Sequence, residues 1–408
     1  MLVTCILTME STDMREWFMK NFTEEKYERF VKSINDELPT LAGFRLAETP
    51  LFLSNEVRDR LIRAGDEIVD FVLRSDFKQL TEKVIPNQWR CANENEHPNI
   101  FTMDFGLWKD ENGVTVPRLI ELQGFPSLHA LAAFQEDAYR AAYDISADWT
   151  IYFNDFDQRR YLTLFKEIII GSHQPDEVVL MDVKPHEQHT AVDFYFTQKF
   201  LGIPIVGLDE LQQEGKRLFY EREGQRKRIK RIYNRLIFDE VADDPDIFKD
   251  NVDLRQELDV EWINHPNWFY RISKYLLPIL KGDYVLRTYY LNEILDQLPH
   301  DLENYVLKPL FSFGGTGIVI DIKRDDISKI KDPENWILGR KIEYEPAFRR
   351  ADDEMVKAEI RLTYFWPDGD QRPVLTTNCT RLSTGKMINA QLNKDARWVG
   401  GTISYMKS

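Results

Sequence analysis

Apolar residues recur at three- and four-residue spacing over residues 14–38 and again over 54–74, a period that predicts two amphipathic helices. Ser11 or Thr12 offers an N-cap for the first and Ser54 for the second. Residues 11–95 therefore read as a mostly helical packing layer. The period changes near residue 99. Residues 100–105 alternate as a strand, Asp110-Glu111-Asn112-Gly113 forms a tight hairpin turn, and residues 117–124 return as a second strand. Residues 177–182, 202–207 and 231–237 are further strands, and a helix is predicted over 189–201, which together make a small βαβ unit with a parallel sheet. Residues 241–300 are polar and then helical around 268–280. From 303 onward the pattern is strand-rich, with turns at Asp368-Gly369 and Thr384-Gly385.

The expected organisation is α+β: a helical region over 1–98, a strand-rich catalytic region over 99–165 and 270–408, and an α/β unit over 166–269. A chain of 408 residues is long for one domain. Hydrophobic residues make up 43% of it, which suffices for a sizeable core. The formal charge is −15, so no general nucleic-acid surface is expected. A nucleotide in a local basic cleft stays compatible with that charge. The basic run Gly224–Arg231 is short and reads as a solvated turn between strands, with a contact to an acidic partner as the minority reading. Three dispersed cysteines, Cys5, Cys91 and Cys379, suggest no disulfide framework and fit a reducing cytoplasm. The start lacks a signal-peptide pattern, and no apolar run reaches the roughly 18 residues that span a bilayer. Oligomeric state is not legible in the sequence.

The most informative stretch is Tyr305-Val306-Leu307-Lys308-Pro309-Leu310-Phe311-Ser312-Phe313-Gly314-Gly315-Thr316-Gly317-Ile318-Val319-Ile320. A β-like run delivers a lysine, a short loop containing Ser312 follows, then come three glycines in four positions, and then a second β-branched run. Glycines let backbone N–H groups approach anionic oxygens, and the lysine adds a fixed positive charge. An ordinary glycine-rich hairpin turn explains the same pattern. Lys274 lies 34 residues earlier in a predicted helix and, taken alone, reads as a surface residue. Two lysines on different elements could clamp a polyphosphate from two sides.

Glu121 and Gln123 are i and i+2 on one strand and share a face, and Asp104 lies on the partner strand. Such hard oxygen groups hold Mg²⁺ against phosphates, while a half-exposed polar hairpin is the bland alternative. Glu359, Arg361 and Thr363 alternate along another strand. Arg361 and Arg381 could stabilise a transferring phosphoryl group or grip a carboxylate, and structural salt bridges explain them about as well. Glu343-Tyr344-Glu345 and Asn389 belong to the same group. His186-Glu187-Gln188-His189 lacks the spacing and third ligand of a zinc site.

In order and composition these motifs resemble the ATP-grasp ligases, in particular the circularly permuted branch that includes glutathionylspermidine synthase. The metal hairpin Asp104…Glu121-x-Gln123 comes first, followed by Ser273-Lys274…Leu277-Pro278-Ile279-Leu280, then Val306-Leu307-Lys308-Pro309 and Gly314-Gly315-x-Gly317. Residues 177–240, ending Ile232-Tyr233-Asn234-Arg235…Asp239-Glu240, look like the inserted Rossmann-like pre-grasp domain. The resemblance implies that Lys274 and Lys308 grip the phosphates of ATP under the glycine loop. Glu343 and Tyr344 would line the adenine site, and Asp104, Glu121 and Gln123 would hold Mg²⁺. It further implies a ligase that activates a small-molecule carboxylate as an acyl phosphate for attack by an amine, an amino acid or a small peptide. A non-catalytic nucleotide-binding protein and a small-molecule kinase are the alternatives on the same fold. The chain departs from the family at Gln123, where asparagine is usual, at the glycine loop, which has no arginine, and at Thr102 and Met103, where a basic residue is usual ahead of the first metal aspartate.

Overall fold

The computed structural model describes residues 10–38, 43–241, 246–312, 314–349, 354–385 and 397–408. Cys5, Phe313 and Asn389, singled out above, lie outside them. The frame is an antiparallel sheet whose longest strands are Ile100–Lys109, Thr115–Gln123, Met355–Phe365 and Val374–Ser383. Met355–Phe365 lies between Ile100–Lys109 and Val374–Ser383, Thr115–Gln123 is on the outer side of Ile100–Lys109, and Gly400–Thr402 closes the other edge. Alternation divides this sheet into two chemistries. Phe101, Met103, Phe105, Ile360, Leu362 and Tyr364 belong to an apolar core shared with Val57, Leu61, Ala64 and Ile68 of the Asn55–Val72 helix. Gly65 permits the contact, since a Cβ there would sit 1.9 Å from the Tyr364 hydroxyl. The intervening residues, Thr102, Asp104, Glu359, Arg361 and Thr363, are also buried, and they are polar or charged.

Ser54 caps the Asn55–Val72 helix as its sequence suggests, its hydroxyl accepting from the Val57 N–H at 3.3 Å. The single helix expected over 14–38 is instead two, Glu10–Asn21 and Glu24–Asn35. Thr23 takes an extended conformation between them and accepts from the Lys26 N–H, so the chain restarts there, and Ser11 and Thr12 lie inside the first helix. Phe18 and Phe30 of these helices share a core with Tyr139, Phe165, Val178 and Tyr405. The His129–Tyr143 helix in that core starts after Leu128, whose backbone is left-handed at φ 76°. The N–H groups of Leu128 and Leu131 both donate to Asp193, which reaches over from the Ala191–Leu201 helix.

The α/β unit is a parallel four-stranded sheet in the order Glu261–Ile263, Arg231–Asn234, Val178–Asp182, Ile205–Gly207. The strand expected to reach 237 stops at Asn234, where the side-chain oxygen accepts from the Leu236 N–H and turns the chain. Glu261–Ile263 falls in the stretch expected to be polar and then helical, and three residues are too short to show a period. The basic run is the strand Gln225–Ile229, not a solvated turn. Its charges are met within the chain: Arg226 by Glu214, Lys227 by Asp176, Arg228 by Asp259 and Lys230 by Glu177. A third sheet, antiparallel, pairs Trp336–Arg340 with both Thr288–Tyr290 and Tyr305–Pro309. Among the described residues no helix is long and apolar enough to cross a membrane.

Gly124 ties the end of the Thr115–Gln123 strand to the segment carrying Lys274. Its N–H donates to the Ile272 carbonyl at 2.7 Å, and a Cβ there would sit 2.1 Å from the Trp268 carbonyl oxygen. Gly124→Ala should therefore destabilise the protein by about 1–3 kcal/mol, seen as a lower denaturant midpoint at unchanged slope. Gly43→Ala, with nothing within 4 Å of the added carbon, is the matched control. Equal midpoints for the two variants would show that the backbone contact at Gly124 yields without cost.

Candidate functional site

Two cavities meet above the polar face of the central sheet. The first, of about 240 Å³, is lined by Ile120 and Glu121 from the central sheet and by Thr288, Val306, Lys308, Ile337 and Gly339 from the third sheet. The second, of about 300 Å³, is lined by Gln123, Phe125, Gln135, Gln188, Arg235, Arg361 and Cys379 among others. Gly315, Glu359 and Arg381 border both.

The sheet register assembles the charged centre. Asp104 stands opposite Glu121 on one neighbouring strand and opposite Arg361 on the other. Its carboxylate accepts from Arg361 through Nε and Nη2, each at 2.7 Å, and from Arg381 Nη2 at 2.7 Å. Glu359, paired across the ladder with Arg381, lies 3.2 Å from its guanidinium and accepts from the Tyr344 hydroxyl at 2.6 Å. Gly106 makes room for that tyrosine, because a Cβ would fall 2.8 Å from its ring. The register slips between Asp104 and Phe105, so Ile120 has no partner in the ladder. The carbonyl of Ile120 instead accepts from Lys308 Nζ at 3.3 Å.

Lys274 is buried, contrary to its reading as a surface helix residue. The helix expected over 268–280 is only the short Asn267–Arg271 turn, followed by a single 3₁₀ turn that Ser273 caps and that carries Lys274. Its ammonium donates to the Ser312 carbonyl and lies 3.5 Å from Glu121. Gln123 Nε2 donates to the other oxygen of Glu121 at 2.6 Å. Burial pushes the Glu121 carboxyl up, but Lys274, Arg381 and Lys308 outweigh it and hold the group down at about 2. Burial raises Glu359 more than Arg381 lowers it. Burial also lowers Lys308, against the pull of Glu121.

The glycine loop has left-handed backbone at Gly314 (φ 60°), Gly315 (φ 81°) and Gly317 (φ 73°), a conformation that favours glycine. The second strand expected after it reduces to one antiparallel bridge, Val319 to Leu307, before Asp321 turns the chain at φ 57°. Tyr344 lines the first cavity, while Glu343 is exposed and does not. A bridge between Tyr344 and Trp108 turns Tyr344 inward, and alternation sends Glu343 out. Ile342, Lys341 and Arg340 are there instead. His186 bonds Tyr195 at 2.9 Å.

Of the residues expected to hold Mg²⁺, Glu121 and Gln123 line cavities, and the carbonyl oxygen of Gln123 is not used in its bond to Glu121. Asp104 does not fit that role: both its oxygens are occupied by arginines. Among the described residues no group of three His, Cys, Asp or Glu could hold a metal ion. The second cavity could not be read from the sequence, because its walls come from eight separated segments. Two of its buried groups lack a partner, Gln135 Nε2 and Arg235 Nε, although another Arg235 nitrogen donates to the Pro126 carbonyl.

Because Glu121 has a depressed pKa, its contribution to stability is present above the usual carboxyl value near 4.3 and is lost as pH falls towards 2. The urea midpoint of the wild type should drop between pH 5 and pH 3, and Glu121→Gln should drop less. Parallel curves would mean that Glu121 is not held by these cations.

No family model matches the chain, and no curated protein does. Among solved structures, a glutathione synthetase-like effector (GSS30) from Globodera pallida, in its apo form, is similar over 98% of this chain and 97% of that chain. The TM-score is 0.55 at 10% sequence identity, so the likeness is one of fold: the chain has a mixed α/β architecture similar to that of a glutathione synthetase-like protein.

Proposed function

We propose that the protein is an ATP-dependent carboxylate–amine ligase on a circularly permuted ATP-grasp fold. The observation that carries this reading is the pair of cavities meeting at Arg381: Lys308 and Glu121 line the first, with buried Lys274 3.5 Å from Glu121, and Arg235 and Arg361 line the second. ATP occupies the first cavity between the two antiparallel sheets, with Lys274 and Lys308 on its phosphates and Tyr344 against the nucleoside. The backbone of Gly314, Gly315 and Gly317 closes over the phosphates. The carboxylate substrate occupies the second cavity, where Arg235 and Arg361 offer it charge.

The substrate carboxylate oxygen attacks the γ-phosphorus, the bond to the β-phosphate oxygen breaks, and ADP leaves. Arg381, at the junction, neutralises charge gathering on the transferred group, and the buried setting strengthens that effect. The amine then attacks the acyl carbon, inorganic phosphate departs, and the amine loses a proton. Glu359, with its raised pKa and its place beside both cavities, is the group suited to receive it. Mg²⁺ carried in on the phosphates would meet the protein at Glu121 and Gln123, where it would offset phosphate charge.

A second reading, a non-catalytic nucleotide-binding protein, draws on Gln123 in place of asparagine and on the engagement of Asp104 by arginines. The two readings part on turnover. Thermal unfolding of the wild type with Mg·ATP at about 100 times its dissociation constant should gain roughly 2.7 kcal/mol, a rise of a few degrees, and Lys308→Ala should lose it. Incubation with ATP and pairs of carboxylates and amines should release ADP and give an amide detectable by mass. Arg381→Gln should slow that release by a hundredfold or more. A thermal shift without any product would favour the binding protein, a stable phosphoester would favour a kinase, and no shift would defeat all three.

A further inference from the structure

The carboxylate that opens the expected metal motif does different work. We infer that Asp104 is a positioning residue: it fixes Arg361 and Arg381 at the junction of the two cavities and holds no divalent cation. The inference rests on the ligase reading of that junction but concerns a residue to which that reading gives no contact with substrate.

Three observations carry it. Asp104 is 1% exposed and lines neither cavity, whereas Glu121 lines the first, Arg361 the second and Arg381 both. The aspartate thus lies beneath the arginines, on the far side from any ligand. Its oxygens are taken by three N–H groups at 2.7 Å in a fork that fixes the plane of the Arg361 guanidinium. A magnesium ion bound at about 2.0–2.1 Å from either oxygen would have to displace or crowd a permanent cation. Finally, Arg361 cannot easily withdraw: it sits directly across the ladder from Asp104 in a central strand.

The chemistry that follows is division of labour. A tetrahedral oxyanion at the junction is read by two arginines held from behind, and sensitivity to the divalent cation resides at Glu121. Asp104→Asn should therefore leave the magnesium concentration for half-maximal nucleotide binding within about twofold of wild type. In the same variant the ADP-loaded protein should bind inorganic phosphate at least tenfold more weakly, because the arginines lose their anchor. Glu121→Gln should show the reverse pattern. A tenfold rise in the magnesium requirement of Asp104→Asn would overturn the inference, and so would unchanged phosphate affinity. If the single variant does not fold, the charge-neutral pair Asp104→Asn with Arg361→Gln replaces it in the magnesium titration, under the same criterion. Should the wild type bind no nucleotide at all, the ligase reading fails separately. Mn²⁺ binding to the bare protein, followed by electron paramagnetic resonance, then decides the point: loss of a wild-type manganese site on Asp104→Asn refutes the inference, and any other result supports it.

Discussion

One buried ion cluster organises this molecule. Buried Asp104, Glu359, Lys274 and Arg361 meet half-buried Glu121, Lys308 and Arg381 where the two cavities join. Such a cluster is poor evidence for stability, since apolar side chains of similar size often serve a core as well or better. Retaining seven ionisable groups at the heart of a sheet makes physical sense when a charged ligand visits them. Within the set, four cations face three carboxylates.

The rest of the fold can be understood as what that cluster requires. A sheet face can carry buried charge only if the opposite face supplies the burial that holds the sheet together, and the Asn55–Val72 helix meets that need through Phe101, Met103, Leu362 and Tyr364. Partners must come from neighbouring strands in register, so the ladder sets Asp104 against Arg361 and Glu359 against Arg381. A register slip then frees the Ile120 carbonyl for Lys308. Each device is local, and each serves the same centre.

The legible part of the sequence was the part encoded locally. The hairpin from Ile100 to Gln123, the cap at Ser54, the α/β unit and the glycine loop all rest on short-range period or turn chemistry. The motif order pointed to a fold that the structural likeness supports only in its coarser form. What was not legible depends on distant partners. Lys274 looked exposed because the Ser312 carbonyl and Glu121, its neighbours in space, are 38 and 153 residues away in the chain. Asp104 looked like a cation ligand because nothing near it announces Arg361, 257 residues on. The break at Thr23 was hidden by an apolar period that runs unbroken across two helices, and the inward turn of Tyr344 over Glu343 depends on a bridge to Trp108.

The chain of contacts from Tyr344 through Glu359, Arg381 and Asp104 to Arg361 also bears on how such a protein can drift. Removing any one charged member strands another in the interior, a loss that several compensating changes elsewhere would have to absorb. The set is therefore inherited or dismantled as a block, through intermediates that fold poorly. A lineage that abandoned chemistry would keep these residues long after the selection that installed them had lapsed.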